Sequence, residues 1–145
     1  MIRVTRTLAV PYPPAKVIAY LADFAHAVDW DPGTVSCERL GDGPVAEGSR
    51  WLNVTDFRGR RSELTYRLDA YEPGRLVFSG VSKTAETTDD LSFTEGAGST
   101  LVTYRATIRF KGLRAVASPV LRREFERLGD EITVTMPKAV ARALG

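Results

Sequence analysis

Sulfur and imidazole are scarce in this chain of 145 residues, which holds one cysteine, Cys37, and one histidine, His26. A lone cysteine cannot close an intramolecular disulfide, and a single histidine cannot assemble a Cys/His metal cluster. No metal and no cofactor are expected. A charge excess of either sign is lacking too. The 20 basic and 18 acidic residues are interspersed and leave a formal charge of +2, too weak a field to hold a phosphate backbone or anionic lipid. The densest basic groups, Arg58 with Arg60 and Arg61, and Arg122 with Arg123, have no interleaved aromatics to stack bases. They read as solvated turn and helix faces, and nucleic acid is not an expected partner. No apolar run approaches a membrane span and no charged-then-apolar leader opens the chain. The expectation is a cytoplasmic protein without integral membrane association.

What is present fits one domain over residues 1–145, long enough to bury roughly two-thirds of the surface of its unfolded form. A hydrophobic fraction of 43% with 26% charged residues argues against disorder. Repeats, low-complexity tracts and linkers are not evident.

Ile2, Val4, Leu8 and Val10 alternate with polar or small residues, which predicts a strand over Ile2–Val10 with Arg6 as the one break in its apolar face. Pro11, Pro13 and Pro14 stop it. Val17, Tyr20, Leu21 and Phe24 then recur at helical spacing from a start near Pro14. A second short helical turn leads into the tight Asp31-Pro32-Gly33 loop. Beyond it the period changes to two. Strands are predicted over Thr34–Leu40, Ser49–Phe57, Arg61–Tyr71, Arg75–Val81, Thr87–Thr94 and Leu101–Phe110. The gaps between them carry turn chemistry and are short enough to force antiparallel hairpins. Ser118 offers a helix N-cap before Pro119. Leu121, Phe125, Leu128, Ile132, Met136, Ala139 and Ala143 follow at steps of three or four, which makes one long C-terminal helix. Pro137 should kink that helix or loosen its last two turns, and Gly129 permits close approach in its middle.

The predicted fold class is therefore α+β: a seven-stranded curved antiparallel sheet wrapped around the long C-terminal helix, with two short helices after the first strand. A helix roughly 10 Å across cannot fill the concave face of so wide a twisted sheet. A cavity is the expected result. Alternation turns Leu64, Tyr66, Leu68 and Ala70 inward, with Leu91, Phe93, Val102, Tyr104, Ala106, Ile108 and Phe110. The facing of residues 51–57 and 76–81 stays open.

The order of elements and several local phrases resemble the START-like superfamily, also called the Bet v 1-like or SRPBCC group, and within it bacterial polyketide cyclase/dehydrase-type proteins. The carriers are Pro13-Pro14-Ala15-Lys16-Val17, Leu21-Ala22-Asp23-Phe24, Trp30-Asp31-Pro32-Gly33, Glu47-Gly48-Ser49, Tyr71-Glu72-Pro73-Gly74 and Gly98-Ser99-Thr100. The resemblance spans nearly the whole chain. It implies a helix-grip fold with a ligand cavity between sheet and long helix, used by different members for lipids, sterols, polyketides, plant hormones or quinones. It implies no single reaction.

The expected ligand-binding residues are Tyr66, Leu68, Phe78, Leu91, Phe93, Tyr104, Ala106 and Ile108 from the sheet, Phe125, Leu128, Ile132 and Met136 from the helix, and Trp30 and Trp51. The aromatic and aliphatic members are pocket walls or plain core by the same pattern. The two tyrosines find a ligand oxygen, backbone or water for their hydroxyls. Two residues are candidate acid/base groups. Asp89 shares the parity of Leu91 and Phe93, and an apolar setting would raise its pKa, though its place near a strand start also suits a solvated rim. His26 titrates near neutrality but lies between Ala25 and Ala27 on the short helical segment, as surface or lid packing would place it. Asp56 is ambiguous in the same way as Asp89. The leading expectation is binding or carriage of a small hydrophobic, lipid-like or polycyclic molecule. A cyclase/dehydratase-type enzyme using a cavity carboxylate, His or Tyr is the alternative, a protein-interaction module the third, and a homodimer stays open.

Overall fold

The computed structural model describes residues 1–112 and 119–145. The chain begins with β1 (Ile2–Val10), continues through α1 (Pro14–Ala22), a single 3₁₀ turn (Phe24–His26) and α2 (Ala27–Trp30), and then enters six strands. These are β2 (Thr34–Leu40), β3 (Arg50–Phe57), β4 (Arg60–Glu72), β5 (Arg75–Val81), β6 (Ala85–Glu95) and β7 (Thr100–Phe110), followed by α3 (Pro119–Leu144). The expected strand boundaries hold to within two residues. The N-cap assigned to Ser118 lies outside the described residues.

All seven strands form one antiparallel sheet in the order β1-β7-β6-β5-β4-β3-β2. Only β1 departs from sequence order, crossing to pair with β7 from Ile2 opposite Ile108 to Val10 opposite Thr100. Register shifts between Thr34 and Ser36 and between Leu68 and Ala70 mark bulges, which bend a strand and increase its local twist. The bent sheet presents one apolar face to α3.

Alternation settles most of that face. Leu64, Tyr66 and Leu68 are buried between exposed or half-buried neighbours, as are Val102, Tyr104 and Ile108. On β3 the inward positions are Trp51 and Asn53, and on β5 they are Leu76, Phe78 and Gly80. Asn53 is buried by donating through Nδ2 to Thr34 Oγ1 at 3.1 Å. Gly80 is bare because Tyr66 lies over it: a Cβ there would come within 2.8 Å of the Tyr66 ring.

The helix is fastened to the sheet at β1. Arg6, the polar break in that strand, donates to Asp130 Oδ1 at 2.9 Å and to Glu126 Oε2 at 2.8 Å. Gly129 lets the backbones approach, since a Cβ would fall 2.5 Å from Val4 Cγ1. At the other end Thr135 Oγ1 donates to the Trp30 carbonyl at 2.6 Å. The helix runs through Pro137 to Leu144, and Met136, Ala139 and Val140 are buried. Its last turns thus stay helical and packed, and the apolar stripe passes through Val140 where Ala143 was expected, because Ala143 is exposed.

The filling of the concave face is uneven. Phe24 and Trp30 reach under the sheet from the short helices and meet Trp51, Tyr66, Phe78 and Tyr104 ring to ring. The Trp51 indole is held by donating to Asp23 Oδ1 at 3.0 Å. A second, small cluster of Ile2, Val4 and Ile108, with Phe110, Leu121 and Phe125, sits under the N-terminal half of α3. Between the two clusters the sheet and the helix stand apart.

Candidate functional site

That gap is a cavity of about 780 Å³. Its apolar walls come from Val4, Leu64, Ala85, Ala106 and Ile108 on the sheet and from Phe125, Leu128 and Ile132 on the helix. Its mouth lies at the β3–β4 and β5–β6 turns, with Phe57, Arg58, Arg60 and Arg61 on one side and Ser82 and Thr84 on the other. Phe57 stacks on Phe125 with ring centroids 4.7 Å apart and an interplanar angle of 6°.

The inner end is polar. Asp89 and Tyr104 lie on adjacent strands and both line the cavity, and the Tyr104 hydroxyl donates to Asp89 Oδ2 at 2.7 Å. Asp89 is only 6% exposed. Burial pushes its carboxyl up to about 7, against the hydrogen bond from Tyr104, which favours the ionised form, while the charge of Asp31 adds to the rise. Burial beside Asp89 also drives the Tyr104 phenol well above its ordinary value. Tyr66 is raised in the same way, and its oxygen accepts from Thr87 Oγ1 at 3.1 Å. Asp31 completes this end: its carboxylate accepts from the Gly33 N–H at 3.0 Å and from Thr34 Oγ1 at 2.9 Å, which offset part of the rise caused by burial.

These groups can donate and accept hydrogen bonds, and Asp89 can exchange a proton near neutral pH. Among the described residues no three His, Cys, Asp or Glu side chains gather as a metal site would require. Cys37 is pushed up to about 11, chiefly by burial, and so stays a thiol.

The structure brings Asp89, Tyr66, Tyr104, Ala106, Ile108, Phe125, Leu128 and Ile132 together around the cavity. Leu68, Phe78, Leu91, Phe93 and Met136, with Trp30 and Trp51, lie instead in the packed core beyond its inner end. The strand residues among them, Trp51, Leu68, Phe78, Leu91 and Phe93, are buried in the alternating pattern, while Met136 lies on α3 and Trp30 ends α2; Phe24 and the short helices fill that half of the sheet. His26 is absent from the cavity wall. Its ring stacks on Tyr20 at 4.3 Å and its Nδ1 lies 2.7 Å from the Tyr20 carbonyl. Asp56 stands at the mouth, exposed, with Arg61 Nε 4.0 Å away. Asp31 went unrecognised as a site residue because Asp31-Pro32-Gly33 looks like ordinary turn chemistry; the hydroxyl of Thr34 three residues on was its one available signal.

A family described as polyketide cyclase/dehydrase and lipid transport matches residues 1–138. No curated protein matches the chain. Among solved structures, a START superfamily protein from Mycobacterium smegmatis superposes with a TM-score of 0.79 at 14% identity, covering 97% of this chain and 98% of the other. A protein from Thermus thermophilus gives 0.78 at 14% identity over 99% of both chains. The Zhui aromatase/cyclase of a Streptomyces species gives 0.72 at 18% identity over 97% of this chain and 92% of its own. At such identities the likeness is one of fold. No helix among the described residues is long and apolar enough to cross a membrane.

Proposed function

Because the chain belongs to the polyketide cyclase/dehydrase and lipid transport family, we propose that it binds a small hydrophobic molecule, lipid-like or polycyclic, in the space between sheet and α3. The observation that carries this reading is a cavity of about 780 Å³ with apolar walls and a few convergent polar groups at one end, the usual composition of a small-molecule site. Native mass spectrometry of the purified protein, followed by organic extraction, tests it. A retained apolar compound that dissociates on unfolding is the expected result. A protein that carries nothing and takes up no lipid or polycyclic probe would overturn the reading.

Asp89 favours a second reading, an enzyme that moves a proton on the bound molecule. A carboxyl with a pKa of about 7 serves equally as acid and base near neutrality, which is where general catalysis is most efficient. Tyr104 would steady its charged form. The check is deuterium uptake from heavy water at the carbon beside the carbonyl of a bound polycyclic ketone. Asp89→Asn should abolish uptake while leaving the ketone bound, and an unchanged rate in that variant would remove the enzyme reading.

A further inference from the structure

The cavity is polarised along its length. Asp89 at the inner end and Ala85 at the mouth lie on one strand, four residues and so about 13 Å apart at a rise of roughly 3.3 Å per residue. The inner end offers Asp89, Asp31, Tyr66, Tyr104 and Thr87, and the one basic side chain beside it, Arg6 opposite Tyr104 on β1, is taken up by Glu126 and Asp130 of the helix. The mouth reverses the sign. Arg58, Arg60 and Arg61 line it against Asp56, and Asp56 meets Arg61 only at 4.0 Å.

The turn that carries these arginines is unusual. Arg58 and Gly59 have φ of 55° and 80°, the left-handed pair of a tight hairpin turn whose first position favours Asn or Asp. A long basic side chain is held there against local preference, and such violations concentrate at functional sites. Stacking of Phe57 on Phe125 keeps the same turn over the opening.

We propose that the occupant is an amphiphilic hydroxy acid, with its acidic head among Arg58, Arg60 and Arg61, its apolar body against the walls, and a hydroxyl at the far end donating to Asp89. Guanidinium groups suit such a head because their paired N–H donors match two acid oxygens. The inner carboxylate suits a hydroxyl because it accepts and repels a second anion. This inference rests on the cavity being a binding site for hydrophobic molecules.

Calorimetric titration of the intact protein with dodecanol, dodecanoate and ω-hydroxydodecanoate tests it. The hydroxy acid should bind tightest. Its gain over dodecanol, roughly threefold to tenfold for a part-exposed charge contact, should shrink as salt is added. Its gain over dodecanoate should be roughly fivefold, the worth of one buried hydrogen bond. Combining Arg58→Asn, which suits the turn, with Arg60→Ala and Arg61→Ala should erase the first gain, and Asp89→Leu the second. If Asp89→Leu fails to fold, the ligand series on the unaltered protein still decides the point. A preference of monododecyl phosphate over dodecanoate would support the acidic head and name a phospholipid-derived source, whereas the reverse supports a free acid. Dodecanol binding as tightly as the hydroxy acid would overturn the inference and leave the cavity reading standing. Failure of all the probes to bind would overturn both.

Discussion

Tyr104 and Asp89 face each other across adjacent strands, with the phenol donating to Asp89 Oδ2 at 2.7 Å. The pair is buried, and it is the one carboxyl–phenol hydrogen bond on the cavity wall among the described residues. The Tyr104 ring packs on Trp30 as part of the core, whereas the Asp89 carboxyl adds no apolar packing to it. The pair therefore burdens the fold with a polar group that its occupant can use.

Asp89 should make the protein less stable as pH rises. Its folded pKa of about 7 lies above the ordinary aspartate value of about 3.9, so between these values the folded state holds a proton that the unfolded chain has released. Stability is highest below about pH 4, is lost as pH climbs to about 7, and is flat above it, a change on the order of 4 kcal/mol from this group. Urea unfolding of Asp89→Asn at about pH 5 and about pH 8 should show the variant gaining on the unaltered protein with rising pH.

Tyr104→Phe should raise the Asp89 pKa above about 7, because the lost hydrogen bond is what favours the charged form. The variant should also lose about 1 to 2 kcal/mol, since Asp89 is left without its donor. Carbon-detected titration of the Asp89 carboxyl reads the first effect, and chemical denaturation near neutral pH the second.

Ala106 pairs in register with Asp89 on one side and Val4 on the other, and its methyl faces the cavity. Ala106→Phe should occupy that space. Uptake of hydrophobic probes should fall at least about tenfold, while thermal stability holds or rises, because the added ring buries apolar surface in an existing void. Equal loss of stability and binding would mean that the ring had displaced the walls.

Gly129→Ala should cost about 1 to 3 kcal/mol in spite of alanine's better helix propensity. The new Cβ would stand 2.5 Å from Val4 Cγ1, and a β-branched side chain has little rotamer freedom with which to yield. Adding Val4→Ala should return part of the loss, so a double-mutant cycle should show non-additivity of about 1 kcal/mol.

The strand order, the long helix and the inward faces of β4 and β7 were legible because polar neighbours such as Thr65, Arg67, Thr103 and Arg105 oppose apolar ones. The facing of β3 was not, because Asn53 turns inward to a hydrogen bond while Leu52 and Val54 are half-buried outside. On β5 the inward Gly80 has no side chain to report its direction. Asp89 was found by parity alone. The position of the cavity along the sheet could not be read, since it depends on how far Phe24 and Trp30 reach from the short helices, a matter of tertiary placement. For the same reason Phe78 and Leu91 share the pattern of Ile108 yet differ from it in surroundings. The arginine turn read as a solvated loop because nothing local reveals that it overhangs an opening.

The stacked rings of Phe57 and Phe125 have a kinetic consequence. An aromatic pair of this kind contributes only about 1 kcal/mol beyond its buried area, and Phe57 ends a hairpin whose tip is exposed. Guest exchange can then proceed by brief fraying of that tip, on the timescale of loop motion, without disturbing the hydrogen-bonded ladder behind it. For any guest held there, fraying of the tip would change entry and exit rates together and leave the affinity to the cavity walls, so substitutions at the two places would separate rate from affinity.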